Sequence, residues 1–75
     1  MTQRVGFVVF DGVTMLDVSG PGEVLHHAVQ AGHPYTPVLV SPHGGAVTAS
    51  SGLVLAATTA AADAGPLDTV VVAVV

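Results

Sequence analysis

The 75-residue sequence contains no cysteine and no tryptophan, and its only Lys or Arg is Arg4. Without cysteine, these residues can form no disulfide, supply no thiolate to a metal and provide no cysteine nucleophile. The single arginine stands against five acidic residues and gives a formal net charge of −4. Proteins neutralise phosphates with clusters of Lys and Arg. We therefore expect no binding of nucleic acid through these residues.

Charge of either sign is scarce, since charged residues make up 8% of the sequence and hydrophobic residues 51%. This composition is the opposite of that of disordered chains and requires a buried core. The longest early apolar run, Val5 to Phe10, is cut by Asp11, so it is too short for a signal-peptide core or a membrane span. We expect a cytoplasmic protein that does not interact with membranes.

The order of the predicted elements indicates an α/β fold. Val5 to Phe10 is continuously apolar, as in a buried parallel strand, and Asp11-Gly12 ends it in a turn. Gly20-Pro21-Gly22-Glu23 is predicted to open a helix, with proline at the first helical position and Glu23 in the first turn. A second strand at 36–40 then predicts a parallel crossover. On the helix the apolar residues fall on one face: Pro21, Val24, Leu25, Ala28 and Val29.

The second half of the chain predicts a hairpin and a last strand. Residues 47–49 and 53–55 are separated by Ser50-Ser51-Gly52 and are expected to pair. Residues 56–64 are predicted to include a helical turn or two, and a strand apolar on both faces starts near Asp68 and reaches Val75. Such a strand requires packing layers on both faces. We therefore expect residues 1–75 to be the N-terminal part of one larger α/β domain, truncated at its C-terminus.

We expect the ligand-binding site to lie beyond the carboxyl end of the first strand, because that is the ligand side of open α/β sheets. The candidate ligand-binding residues are Asp17, Gly20 and Glu23. Asp17 lies before the predicted helix N-terminus, where a carboxylate could orient a polar ligand, or it simply caps a turn. Glu23 has the same two interpretations, with helix capping favoured. Leu25 stands where a dinucleotide fingerprint requires its third small residue, so nucleotide binding is not predicted.

No metal site or bound cofactor is predicted. The four histidines, at positions 26, 27, 33 and 43, lack a matching set of carboxylates, and His26 and His27 are interpreted as part of a solvated helix face. No serine lies in a Gly-x-Ser-x-Gly elbow or forms an arguable Ser/His/Asp set. As an isolated chain, these residues are expected to carry out no catalysis.

Two stretches carry a family resemblance: Val5-Gly6-Phe7-Val8-Val9-Phe10-Asp11-Gly12-Val13, and Leu16-Asp17-Val18-Ser19-Gly20-Pro21 followed by Glu23-Val24. With Leu39-Val40-Ser41-Pro42 and Ser51-Gly52-Leu53, they make the chain resemble the N-terminal part of a ThiJ/PfpI domain, the flavodoxin-like group related to class I glutamine amidotransferases. The resemblance implies an incomplete flavodoxin-like parallel sheet with flanking helices. It also implies that the first and last strands are adjacent, with Asp17 at the switch point between them.

Two branches of this group are implied. The first is the ligand-sensing half of AraC-type transcriptional regulators, which the 41–45 loop resembles more closely and in which a separate C-terminal region binds DNA. The alternative is an enzyme resembling isonitrile hydratase or an amidase, in which Asp17 would be catalytic beside a cysteine that these residues lack. The regulator branch implies a small-molecule ligand and a homo-oligomer of the full-length protein.

Overall fold

A computed structural model describes residues 2–73. Its strands are β1 Gln3–Val8, β2 Tyr35–Ser41, β3 Val47–Thr48, β4 Val54–Leu55, β5 Thr59–Ala60 and β6 Thr69–Val72, with one helix, α1 Leu16–Gln30, and a short 3-10 helix, Ala61–Asp63. Four of these strands form one sheet in the order β5-β2-β1-β6. All three of its pairings are parallel. The predicted strand, helix, parallel strand unit is therefore confirmed.

The first and last strands of the described part are neighbours, as predicted. Val5 faces Thr69 and Phe7 faces Val71 across the parallel pair of β1 and β6. The chain adds β2 and then β5 on one side of β1 and β6 on the other. The strand order therefore reverses at β1, which makes the carboxyl ends of β1 and β6 the switch point of the sheet. The predicted continuation of β6 through Val74 and Val75 lies outside the described residues.

The hairpin prediction is also confirmed, since β3 and β4 pair antiparallel with Val47 opposite Leu55. The prediction for residues 56–64 is partly wrong. Thr59–Ala60 forms a short strand that extends the sheet beside Val40 and Ser41, and only residues 61–63 are helical, as one 3-10 turn. A two-residue strand has almost no pattern of its own, and pairing with the end of β2 is what defines it.

The predicted start of the helix is wrong by about one turn. Helix α1 begins at Leu16, so Pro21 lies inside it and Glu23 lies in its second half rather than in the first turn. The early start has a tertiary cause, because Met15 and Val18 pack against the buried core. The first turn is closed by the amides of Asp17 and Val18, which donate to the carbonyls of Thr14 and Met15 over 3.0 Å each. The C-terminal prediction is confirmed, since Gly32 follows the helix with φ +100°.

The core lies at the carboxyl end of β1 rather than beneath the middle of the helix. Val9 and Val13 are fully buried and cluster with Val47 and Ala49. Helix α1 has no buried residue, and Val24 on its predicted apolar face is 70% exposed. The β1–α1 loop and the β3–β4 hairpin therefore hold the described part together more than the helix does. The architecture is α/β, a partial flavodoxin-like sheet with one α-helix in residues 2–73.

Candidate functional site

The loop from β1 to α1 is tied to the β3–β4 hairpin along its length. The amide of Gly12 donates to the carbonyl of Thr48 over 2.8 Å, and the amide of Ser50 donates to the carbonyl of Val13 over 2.9 Å. Oδ1 of Asp11 accepts a hydrogen bond from the Thr48 amide over 3.0 Å. Backbone and carboxylate together fix the loop, so the first turn of α1 has a defined position above the carboxyl end of β1.

Asp17 lies in that first turn and is partly exposed. A carboxylate there is favoured by the partial positive charge of the helix N-terminus. The turn-capping interpretation is not supported, since the N-cap residue is Met15 and the turn has no side-chain cap. In residues 2–73 the Asp17 carboxylate accepts no hydrogen bond. The hydrogen-bonding capacity of this carboxylate is thus uncommitted by residues 2–73.

The other two candidates lie further along the same helix. Gly20 is partly exposed and Glu23 is exposed. A Cβ atom added to Gly20 would meet nothing within 4 Å, so no neighbouring group in residues 2–73 requires a glycine there. Asp17 and Glu23 are six positions apart, about 120° around the helix axis when each residue turns 100°. The described residues therefore do not bring Asp17 and Glu23 onto one helix face.

Two apolar cavities flank α1, between the helix and the sheet. The larger, of about 560 Å³, lies between the helix and the β2–β5 side, and its lining includes Val18, Gly22 and Leu39. The smaller, of about 390 Å³, lies towards β6, and its lining includes Leu25 and Val71. Asp17, Gly20 and Glu23 line neither cavity. The helix thus stands over the sheet with unfilled space on both sides.

A chain of hydroxyl groups orders the loop after β2. Ser41 is 2% exposed, and its Oγ accepts from the Gly44 amide over 2.9 Å and lies 2.6 Å from Oγ1 of Thr58. Thr58 Oγ1 donates its single proton to the carbonyl of Gly45 over 2.7 Å. Ser41 must therefore be the donor in the bond to Thr58. Each hydroxyl group in this network therefore has an assigned donor and acceptor. Together these hydrogen bonds hold the 41–45 loop against the segment before β5.

The locked loop forms one wall of a cleft of about 210 Å³ at the ends of β1 and β2. Its lining includes Asp11 and His43 together with Phe10, Pro42 and Val47. The cleft lies on the β2 side of β1, away from the switch point with β6. None of the residues that line it belongs to β6 or to α1.

Within residues 2–73 no group of three or more His, Cys, Asp or Glu side chains is arranged to hold a metal ion. His26 and His27 are both exposed, with ring centroids 5.8 Å apart. The same part of the chain has no helix that is both long and apolar enough to cross a membrane. The uncommitted carboxylate of Asp17 and the cleft beside Asp11 are the chemical features that remain.

Fold and site together define a flavodoxin-like α/β domain with an uncommitted carboxylate in the first turn of the helix that follows β1. No family model matches the sequence. A protein of Streptomyces lividans, described as an uncharacterized protein in the cpoL 5′ region, is 44% identical over 69 residues, which are 92% of this chain and 49% of that protein.

The structure is similar to the crystal structure of an AraC family transcriptional regulator from Pseudomonas putida. The TM-score is 0.80 and the sequence identity 29%, over 95% of this chain and 46% of the regulator. The chain therefore spans about half the length of each of these two relatives. The likeness extends through nearly all of the chain, so it is a likeness of the whole described sheet and not of one motif.

The sequence did not indicate the hydrogen bond between the Ser41 and Thr58 hydroxyl groups, nor the one that Asp11 accepts from the Thr48 amide. Asp11 carried a signal, since it follows a strand directly and precedes a glycine, but that pattern indicates only a turn. Ser41 ends its strand as Ser-Pro-His-Gly-Gly, which indicates a loop and not a buried hydroxyl. Thr58 lies in a Thr-Thr pair within an alanine-rich stretch, and nothing local marks it as the partner of Ser41.

Proposed function

We propose that these residues form part of the ligand-sensing domain of an AraC-type transcriptional regulator of the ThiJ/PfpI group. The observation that carries the proposal is the likeness to the Pseudomonas putida regulator, with a TM-score of 0.80 over 95% of this chain. An identity of 29% accompanies that likeness, which is more than fold similarity alone would require. The protein acts in the cytoplasm in this proposal.

Contact with DNA is assigned to residues outside 1–75. The sequence has a single Lys or Arg, Arg4, whose Nη1 donates to the carbonyl of Pro66 over 2.8 Å. Binding of duplex DNA rests on the release of counterions by several cationic side chains. A surface with a formal net charge of −4 opposes that process. The role left to these residues is to bind an effector and to carry its signal.

Asp17 is the proposed effector-binding residue, with Gly20 and Glu23 as the secondary candidates. Its carboxylate lies in the first turn of the helix that follows β1, and open α/β domains bind ligands beyond the carboxyl ends of their strands. It accepts no hydrogen bond from residues 2–73. A carboxylate of this kind pairs with a donor group of a small polar molecule, such as an ammonium, amide or hydroxyl group. The protein works as a homo-oligomer in this proposal.

Chromatin immunoprecipitation in the native host tests the proposal. An epitope tag is fused ahead of Met1 at the chromosomal gene, so that the whole polypeptide encoded there is captured. Enrichment of a few discrete promoter sites is expected, together with altered transcripts from those promoters when Asp17 is changed to Asn. The substitution keeps the shape of the side chain and removes its charge.

Asp63→Asn is the matched control, because Asp63 is an exposed carboxylate on the 3-10 helix. It is expected to leave the transcripts unchanged. A tagged protein that enriches no DNA site overturns the regulator assignment. If that protein instead loses turnover of an isonitrile or amide upon Asp17→Asn, the enzyme alternative takes its place. A third outcome is that DNA sites are enriched and their transcripts respond equally to both variants. The regulator assignment would then stand, but Asp17 would not belong to the effector site.

A further inference from the structure

Helix α1 contains a segment that opposes helix formation at its middle. Gly20, Pro21 and Gly22 follow one another inside the helix, which runs from Leu16 to Gln30. Proline has no N–H, so the carbonyl of Asp17 lacks the helical partner that residue 21 would supply, and the proline ring crowds that carbonyl. Each glycine adds backbone freedom that the helix must suppress. Glycine and proline are the two residue types with the lowest helix propensity, so this is the weakest segment of α1.

The two halves of the helix on either side of this segment are held differently. The N-terminal half is anchored, since Met15 and Val18 pack against the buried core and the preceding loop is bonded to the hairpin. The C-terminal half, residues 23–30, has no buried side chain, and its Val24 and Val29 are 70% and 40% exposed. Its far end passes into Gly32, whose φ of +100° is a turn conformation. The amides of Gly32 and His33 close that end with hydrogen bonds to Val29 and Ala28, so the weak point lies at the N-terminal end of residues 23–30.

The space under the helix allows movement. The cavities of about 560 and 390 Å³ both lie between α1 and the sheet, and Gly22 and Leu25 belong to their linings. A segment packed at the density of a protein interior could not shift without clashes. Here both spaces are open grooves, so a tilt of residues 23–30 towards the sheet would displace solvent and would not have to pass through packed side chains.

The glycines have no other explanation in the described structure. A Cβ atom added at Gly20 or at Gly22 would meet nothing within 4 Å, and neither residue has a positive φ. Alanine would therefore fit at both positions and would favour the helix. Glycine differs from alanine at these two sites only in giving the backbone more conformational freedom.

We propose that Gly20-Pro21-Gly22 is a hinge, about which residues 23–30 move as a lid over the apolar space between α1 and the sheet. The N-terminal half, with Asp17, stays fixed to the core while the lid opens and closes. Asp17 and the hinge are separated by two residues, so the fixed carboxylate lies close in the chain to the point about which the lid moves. The hinge is a property of these residues, and it holds whichever function the protein has.

Amide hydrogen exchange on the whole polypeptide encoded by the gene tests the hinge, because exchange reports local opening. In the unchanged protein, residues 23–30 are expected to exchange much faster than the amides of β1. In the double variant Gly20→Ala, Gly22→Ala the exchange of residues 23–30 is expected to slow roughly 30-fold, since each substitution favours the helix about fivefold. Pro21→Ala restores a donor to Asp17 and is expected to slow it by roughly 100-fold.

Gln30→Ala is the matched control, since it lies on the lid, is exposed and changes helix propensity little. It is expected to leave exchange within twofold. Slow exchange of residues 23–30 in the unchanged protein, at the rate of β1, overturns the hinge, as do hinge variants that match the control. If the double glycine variant fails to fold, Pro21→Ala decides, because it removes atoms and cannot clash: slower exchange supports the hinge, and an unchanged rate refutes it.

Discussion

Replacing Ser41 by Ala should destabilise the protein far more than a serine substitution on its surface. The side chain of Ser41 is 2% exposed and takes part in two hydrogen bonds, from the Gly44 amide and to Thr58 Oγ1. Alanine removes both and leaves the Gly44 N–H without its partner. One lost hydrogen bond and one partly buried, unsatisfied donor cost together about 2 kcal/mol. Thr58 keeps its own bond to the Gly45 carbonyl, so no further term is added.

The assay is equilibrium unfolding in urea, with the free energy of unfolding compared at constant m value. Ser51→Ala is the matched control, because Ser51 is exposed in the hairpin turn, and its effect should stay within about 0.5 kcal/mol. Thr58→Val should cost as much as Ser41→Ala, since it leaves the buried Ser41 hydroxyl without an acceptor. The double variant should cost less than the sum by about 1 kcal/mol, because both changes break the same bond.

A loss for Ser41→Ala that equals the control would refute the assigned proton directions and the locking of the 41–45 loop. Strict additivity of the two changes would refute the direct bond between the hydroxyls. A third outcome, in which Thr58→Val is neutral while Ser41→Ala is costly, would mean that the Gly44 amide alone fixes the loop. The cleft beside Asp11 would then be held by one contact and not by a chain of them.

Two further substitutions test the sheet and the core. Gly6→Ala should cost about 1 kcal/mol, at the low end for overpacking, because the added Cβ would lie 2.5 Å from Cδ1 of Leu67, the free end of a half-buried side chain that can rotate away. Adding Leu67→Ala should make the Gly6→Ala step nearly neutral. A cost that persists would show that the backbone of β1 is the constraint. Val9→Ala should lower the unfolding free energy by about 2 kcal/mol, because Val9 is fully buried and the change removes methyl groups and leaves a cavity. Val72 is 61% exposed, so Val72→Ala should change the unfolding free energy little. Equal losses in guanidinium unfolding for the two valines would contradict the position of the core at the carboxyl end of β1.

The candidate site was only partly predictable. Placing Asp17 beyond the end of β1 follows from the chain order alone, because any residue shortly after a parallel strand lies at its carboxyl edge. Its position inside the helix could not be predicted, since Gly-Pro-Gly is a strong signal for a helix start and the burial of Met15 and Val18 overrides it. The cleft beside Asp11 was equally out of reach, because its walls come from segments more than thirty positions apart, as the Asp11 to Thr48 bond illustrates.

The sequence by itself determined the elements whose cause is local. The first strand, the turn at Gly32 and the pairing of β3 with β4 depend on neighbouring side chains and on backbone conformations that a few residues impose. The turn and the pairing were found where the pattern indicated them, and the first strand was found two residues early, at Gln3–Val8 instead of 5–10. Tertiary structure decided the rest. Where α1 begins, the existence of β5 and the burial of Ser41 each depend on a partner distant in the chain. The physical reason is that burial and hydrogen bonding are satisfied in space, and propensity is too weak to hold a boundary against them.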